Sequence, residues 1–313
     1  MYLNHLTSFH GLPVVNFPEF IRARELPDAA SVAWRLQTGD QYSDENEDID
    51  EYWERFTRAV NLQDVRALIF SNRWYNAVPS CSPQYPVQLL VDFRSRLSGL
   101  EAVFLGDVLE DIDRGISWLY QTDLTPLLQA YPRLQELGVR GGIGLAFPVM
   151  RLGALRTLRF ESDSLPPDVV NNVAAAALPA LERLEMWIGD AETPWEGLAT
   201  LLAGDRFPAL RHLGVQNCRE QNEIAAAMAD APVVAQLASL NLSLGNLGDP
   251  GAEALLANRP LTHLRELDLR HHYMSDTMML RMRTALEPAG VHVNLTDQQD
   301  LGDDDLEECP IGL

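Results

Sequence analysis

Acidic, basic and nucleophilic side chains recur at equivalent positions of neighbouring predicted strands late in the sequence. Those able to transfer protons are His212, Glu266, Asp268 and His292. Hydrolysis at such a site would also need a nucleophile, so Ser239 or Ser243 would have to lie within hydrogen-bond distance of a histidine. These residues leave open an alternative function as a metal-dependent or accessory enzyme component.

Three histidines, His271, His272 and His292, are the candidates for a transition-metal site in this region. Adjacent residues at a strand end point in opposite directions, so only one of His271 and His272 ligates easily. We predict that the chain binds no metal and no cofactor, and that His272 stabilises the turn after its strand.

Lysine-dependent chemistry is excluded because all 24 basic residues are arginine. Without lysine the chain cannot form a lysine Schiff base, and it lacks the lysine of a phosphate-binding loop. The run Arg140-Gly141-Gly142-Ile143-Gly144 also lacks the glycine spacing of such a loop. We interpret it as a tight turn.

Charge and cysteine usage limit the partners and the compartment. The net charge of −21 disfavours nucleic acid and anionic membranes, which need a cationic surface, and leaves a basic partner open. Three widely spaced cysteines indicate reduced thiols, and the sequence has no signal-peptide pattern and no transmembrane stretch. We expect a cytoplasmic, acidic monomer that binds neither nucleic acid nor membrane.

A repeat of the form Leu-x-x-Leu-x-Leu positions these residues. Its clearest copies begin at Leu134, Leu155, Leu181, Leu210, Leu237 and Leu264, with weaker copies from Val65 and Leu100 and a closing strand at Val291, Val293 and Leu295. Each copy predicts a short strand followed by a helix that covers the same core. We predict an α/β fold: a leucine-rich-repeat solenoid (horseshoe) of about nine parallel strands on the concave face, with helices on the convex face.

Three segments are predicted along the chain. Residues 1–60 form an N-terminal cap integrated with the solenoid, with a strand at Val32, Trp34 and Leu36 and a helix over about 49–60. Residues 61–296 form the repeat body, with insertions at 71–86 and 106–122. Residues 297–313 form an acidic tail that we expect to be disordered.

Two stretches resemble known families. The run LASLNLSLGNLGDPGAEALL, residues 237–256, is similar to the long repeats of ribonuclease-inhibitor-like proteins, and the similarity extends over residues 130–296. It implies protein recognition on the concave face. His5-Leu6, the run HGLPV at 10–14 and Phe17 resemble the opening of a bacterial (actinobacterial-type) family of uncharacterised cytoplasmic leucine-rich-repeat proteins, sometimes encoded beside radical-SAM proteins. That resemblance implies no activity.

Side chains between and just after the repeated leucines are predicted to face the concave surface and contact a partner. They are Arg159, Arg183, Glu185, Trp187, His212, Gln216, Asp268 and Arg270. Trp187, read as an exposed aromatic, forms the preferred contact centre with Arg159 and Arg183, because Trp and Arg are enriched at binding hot spots. The competing interpretation is that cross-strand ion pairs, Arg159 with Glu185 and Glu161 with Arg183, serve only solubility.

The insertions supply weaker candidate contacts at Trp74, Tyr75 and Trp118. Long loops in repeat proteins are more often functional than short ones, although their aromatic residues also anchor loops to the body. We predict a scaffold rather than an enzyme: a non-catalytic protein that binds an unidentified, possibly basic, partner protein on the concave strand face.

Overall fold

The computed structural model describes residues 4–18, 26–37, 48–71, 74, 82–108, 116, 119–257 and 261–300. The described residues contain twelve strands and eight α-helices, and the chain divides into two units, Met1–Ala146 (unit 1) and Phe147–Leu313 (unit 2). This division does not coincide with the cap boundary predicted at residue 60. No helix among the described residues is long and apolar enough to cross a membrane.

Six strands and three helices form unit 1. They are β1 (Ser8–Phe9), β2 (Leu12–Asn16), β3 (Ala33–Leu36), β4 (Ala67–Ser71), β5 (Ala102–Asp107), β6 (Glu136–Arg140), α1 (Ile49–Ala59), α2 (Tyr85–Asp92) and α3 (Thr125–Ala130). The predicted strand β3 and helix α1 are confirmed, and β3 pairs in parallel with β4. The sequence analysis missed β1 and β2, which form a hairpin whose turn residues His10 and Gly11 both have positive φ.

That N-terminal hairpin covers one face of the unit 1 sheet. Phe9 packs in a cluster with side chains of β3, β4 and β5: Ala33, Ala67, Ile69, Ala102 and Phe104. The Phe9 and Phe104 rings lie 5.9 Å apart, edge to face. Strands β3, β4 and β5 are buried along their whole length.

Unit 2 repeats a strand and a helix with regular spacing. Its strands are β7 (Thr157–Glu161), β8 (Arg183–Gly189), β9 (His212–Cys218), β10 (Ser239–Asn241), β11 (Glu266–Asp268) and β12 (His292–Asn294). Its helices are α4 (Pro167–Ala175), α5 (Trp195–Leu202), α6 (Gln221–Ala229), α7 (Asp249–Ala257) and α8 (Asp276–Leu286). The six strands pair in parallel in chain order, which confirms the predicted parallel sheet of strand–helix repeats.

The repeated leucines set the register of this sheet. Neighbouring strands place Leu158, Leu184, Leu213, Leu240 and Leu267 directly opposite one another, and each is at most 1% exposed. Successive residues of a strand point to opposite faces, so the polar residues on either side of each leucine share the other face of the sheet. One leucine ladder thus positions every candidate site residue of unit 2.

The sequence predicts disorder from residue 297 onwards, but residues 297 and 298 pair with the preceding repeat. Gln298 forms an isolated bridge with His272, and the Asp297 carboxylate lies 3.0 Å from His271 Nδ1. These pairings order residues 297–300, because they continue the hydrogen bonds of the last turn. The rest of the predicted tail lies outside the described residues.

Candidate partner-binding site

Alternate side chains of β7 to β11 form a polar surface on unit 2, which we call the polar face. Its residues are Thr157, Arg159, Glu161, Arg183, Glu185, Trp187, His212, Gln216, Ser239, Asn241, Ser243, Glu266, Asp268 and Arg270. All eight predicted contact residues belong to it, so the structure brings them together as the leucine register predicts.

The polar face contains a depression. It has a volume of about 200 Å³ and is lined by all eight predicted contact residues together with Ser239, Asn241 and Glu266. Gly214 of β9 lies between Glu185 on β8 and Asn241 on β10, and a Cβ there would meet the side chains of Gln216 and Glu185 at 3.1 and 3.2 Å. Pockets for small molecules measure about 300–1,000 Å³, so this cavity has room for about one side chain.

Glu185 is the most heavily hydrogen-bonded carboxylate of the depression. Its Oε1 lies 2.6 Å from Arg183 Nη2 and 3.0 Å from His212 Nε2, and its Oε2 lies 3.4 Å from Arg159 Nε. Burial opposes ionisation, but the hydrogen bond with His212 and the charges of Arg159 and Arg183 outweigh it and lower the pKa of Glu185 to about 2. Glu185 is therefore ionised at neutral pH and holds three side chains in place.

The predicted ion pairs are present in part. Arg159 pairs with Glu185, as expected, whereas the pair expected between Glu161 and Arg183 is replaced by pairs of Arg159 with Glu161 and of Arg183 with Glu185. Residues two apart on one strand share a face, which is why pairs along a strand compete with pairs across it. Arg159 and Arg183 are consequently both paired with carboxylates of the same face.

Trp187 is not the exposed aromatic that the sequence analysis expected. Its ring is on the polar face but only 5% exposed, and its indole N–H donates a hydrogen bond to Gln216 Oε1 at 3.2 Å. Gln216 Nε2 in turn lies 3.5 Å from the hydroxyl of Ser243, two residues after β10. Trp187 therefore forms one wall of the depression rather than a protruding contact.

His212 connects three strands. Its Nε2 contacts Glu185, its Nδ1 lies 3.0 Å from Ser239 Oγ, and this hydroxyl lies 3.5 Å from Glu266 Oε2. The distance between Ser239 and His212 meets the condition set above for a hydrolytic site. The backbone N–H of Ser239 donates to the carbonyl of Arg211, so it does not point into the depression to stabilise an oxyanion.

Asp268 and Arg270 lie beside the depression on the β11 side. Asp268 is 9% exposed; its Oδ1 accepts a hydrogen bond from the Arg270 backbone N–H at 3.1 Å, and its Oδ2 lies 3.5 Å from Arg270 Nε. Burial raises the pKa of the Asp268 carboxyl despite these contacts, and the charges of Glu266 and Glu185 act in the same direction. Asp268 is thus a desolvated carboxylate with a weak cation partner.

His271 and His272, two histidines of the alternative function, make structural contacts, whereas His292 is exposed. His272 is fully buried; its Nδ1 accepts a hydrogen bond from the backbone N–H of Met274, and its Nε2 lies 3.3 Å from the carbonyl oxygen of Leu295. This confirms the predicted role of His272 in stabilising its turn. In the described ranges, no group of three or more His, Cys, Asp or Glu side chains is arranged to hold a metal ion.

Of the three candidate contacts in the insertions, Trp74 is the one that the structure describes. Trp74 is 0% exposed and packs against Phe70 at 5.1 Å in the aromatic core of unit 1, so its predicted role in partner binding is wrong. A large apolar side chain is more stable in a core than in a loop exposed to water. Tyr75 and Trp118 lie outside the described residues.

Gly214 is a residue of the polar face that the sequence analysis did not single out. Its strand reads His-Leu-Gly-Val-Gln, and a glycine inside a strand indicates that another group approaches the backbone closely. In the structure, the Gln216 and Glu185 side chains make this approach.

The fold resembles that of solved structures. A protein from Bacteroides fragilis, known from its crystal structure, aligns with 24% identity and a TM-score of 0.72 over 82% of this chain and 74% of its own. The TLR13 chain in the crystal structure of the TLR13–ssRNA13 complex aligns with 14% identity and a TM-score of 0.42 over 87% of this chain and 33% of its own. The first similarity, like the structure itself, defines a mixed α/β protein built from strand–helix repeats. No protein-family model and no curated protein matches the chain.

Proposed function

We propose that this protein is a leucine-rich-repeat solenoid that binds a partner protein, without catalysis, at the polar face of unit 2. The observation that carries the proposal is the depression in the polar face, whose charged walls are joined by ion pairs within the chain. Side chains that are already ordered lose less conformational entropy on binding. The concave curvature expected of such a solenoid would bring the walls of the depression towards the partner.

The size of the depression favours a macromolecular partner. About 200 Å³ is too small to bury a typical metabolite, yet it is suited to one anchoring side chain of a larger ligand. Interfaces of this kind concentrate their binding energy in a few desolvated central residues. The buried residues Glu185, Trp187 and His212 meet this description.

We expect the substitution Gly214→Gln to abolish partner capture. A Cβ at this position would meet Gln216 Oε1 at 3.1 Å and Glu185 Cγ at 3.2 Å, so the new side chain displaces these two lining residues and obstructs the depression without changing any charge. In affinity purification from the native host, a protein captured by the wild-type chain should be lost with Gly214→Gln. With that partner purified, calorimetry should show binding weakened about a hundredfold or more, as for loss of a hot spot.

The matched control is Glu253→Gln on α7, which changes an exposed ion pair with Arg281 away from the polar face. It should leave both capture and affinity unchanged. Circular dichroism should show that both variants are folded. Equal capture by wild-type protein and a folded Gly214→Gln variant would refute binding at the polar face.

A second candidate function, hydrolysis, is favoured by one observation: Ser239, His212 and Glu185 form a chain of contacts of 3.0 Å each. Under the non-catalytic proposal, a fluorophosphonate probe should not label Ser239. Labelling of the wild-type protein that disappears in Ser239→Ala and in His212→Gln would establish a nucleophilic serine and contradict the scaffold proposal.

The remaining sequence-based expectations stay predictions. They are a cytoplasmic location, a monomeric state, the absence of cofactor, nucleic-acid and membrane binding, and membership of the actinobacterial-type family with its link to radical-SAM proteins. Size-exclusion chromatography with light scattering measures the oligomeric state directly.

A further inference from the structure

The charges of the polar face are unevenly balanced across its strands. On β7 and β8, the carboxylates Glu161 and Glu185 both pair with arginine. On β11, within the part of the chain that the structure describes, Asp268 pairs only with Arg270, at 3.5 Å, and Glu266 makes no ion pair. The depression is lined by the carboxylates Glu185, Glu266 and Asp268 and by the guanidinium groups of Arg159, Arg183 and Arg270, and the two carboxylates of β11 are the ones without a close guanidinium group.

Asp268 is a buried carboxylate whose negative charge is poorly compensated by nearby cations. It is nine-tenths buried, borders the depression, and shares it with the exposed carboxylate of Glu266 two residues away on the same face. A desolvated carboxylate without a close cation is costly, and part of that cost is recovered when a cation binds. Burial, together with the charges of Glu266 and Glu185, raises the pKa of Asp268.

Unit 1 shows how a chain segment binds to the corresponding face of its own sheet. The backbone N–H of Leu6 donates to Asp107 on β5 at 3.4 Å, and Arg35 on β3 donates to the carbonyl oxygen of Leu6. The side chain of Phe9 then packs on the apolar row that contains Ile69 and Phe104. An extended segment is therefore held through its backbone by a carboxylate and an arginine, while its side chain matches the row beneath.

The corresponding row of unit 2 is polar and acidic. It contains Arg159, Glu185, Gly214, Asn241 and Asp268, where unit 1 has Arg35, Ile69, Phe104 and Gly138. A segment bound here would meet carboxylates and an amide instead of an apolar surface. Two carboxylates beside a cavity of one side chain's volume suit a guanidinium group, whose planar fork can donate to both.

We propose that the partner presents an extended segment whose arginine side chain enters the depression of the polar face and pairs with Asp268 and Glu266. This inference rests on the proposed function, because it specifies the partner chemistry of the same face. It makes Asp268 and Glu266 specificity-determining residues.

The test uses the full chain and the peptide acetyl-Gly-Ser-Arg-Ser-Gly-amide as the probe. The indole N–H resonance of Trp187, assigned by its loss in Trp187→Phe, reports on the depression that this residue lines. We expect a saturable shift with this peptide, a weaker one with lysine in place of arginine, and none with the neutral isostere citrulline. Asp268→Asn combined with Glu266→Gln should weaken binding about tenfold or more, since the loss of even one charge-assisted hydrogen bond raises the Kd by about that factor.

Two controls separate binding from folding. Glu253→Gln should keep the wild-type affinity, because its ion pair with Arg281 joins two helices away from the site. Asp268→Asn should melt no lower than the wild-type protein at neutral pH. A carboxyl whose pKa is raised on folding destabilises the folded state once the pH exceeds that pKa, so its neutral replacement removes a cost.

The outcomes distinguish this inference from the proposed function. No shift with the arginine peptide, or an equal shift with citrulline, overturns the assignment of a guanidinium site. If Gly214→Gln nevertheless abolishes capture of the partner, binding at the polar face stands and only its chemistry is wrong. If a saturable arginine-dependent shift persists in the Asp268→Asn, Glu266→Gln double variant, the arginine binds elsewhere and the inference fails.

Discussion

Replacing Leu240 with aspartate should unfold the repeat sheet of unit 2. Leu240 is 0% exposed on β10 and lies opposite Leu213 and Leu267 in the leucine ladder. The substitution removes a buried apolar side chain and adds a carboxylate with no cation opposite it in the ladder. Each effect costs several kcal/mol, so we expect a loss of more than about 4 kcal/mol in the free energy of unfolding.

Urea unfolding followed by circular dichroism measures this loss, and the chain supplies its own control. Leu280 on α8 is 66% exposed, so Leu280→Asp makes the same chemical change at the surface. It should alter the free energy of unfolding by about 0.5 kcal/mol or less. If Leu240→Asp unfolded at the same urea concentration as Leu280→Asp, the leucine register described above would be wrong.

Asp107→Asn should destabilise unit 1 by about 3–5 kcal/mol, because it removes the anion from a buried charge cluster. Asp107 is 0% exposed; its Oδ2 lies 2.7 Å from Arg35 Nη2 and its Oδ1 lies 3.5 Å from Arg140 Nη1. Asparagine preserves the shape but leaves two guanidinium groups, 7% and 2% exposed, without their counter-ion. The control is Glu54→Gln, which removes an exposed pair with Arg58 on α1 and should change stability by about 0.5 kcal/mol at most.

The same cluster predicts a pH dependence. Burial opposes ionisation of Asp107, but the hydrogen bond with His5 and the charges of Arg35 and Arg140 outweigh it, so the pKa of Asp107 is lowered on folding. A lowered carboxyl pKa stabilises the folded state above the ordinary aspartate value and loses that contribution as the pH falls below about 4. Wild-type stability should therefore decline below pH 4, and Asp107→Asn should lose this part of the dependence. An unchanged acid profile in the variant would contradict the role assigned to Asp107.

The sequence predicts the features of unit 2 that depend on local spacing. Strands β7 to β12 follow from the leucine repeat, and so does the face on which Arg159, Glu185 and Asp268 meet, because alternation along a strand fixes orientation. How exposed a side chain is depends on neighbours from other repeats. Trp187 is covered although it is on the predicted face.

Other features depend on contacts between distant parts of the chain. Trp74 is in an insertion with loop-like composition, and its burial follows from packing against rings such as Phe70 and Trp53. The hairpin of β1 and β2 had a local signal, since His10-Gly11 separates two short strands, but the sheet face that it covers is assembled from strands up to residue 107.

Burial differs from strand to strand along the polar face. Strand β9 is as fully buried as β3 to β5, which carry the N-terminal hairpin, whereas β7, β10 and β11 keep partly exposed residues. Amide hydrogens exchange with water more readily where the backbone is less protected. A partner that binds the polar face as proposed should therefore slow hydrogen exchange most in β7, β10 and β11 and least in β9.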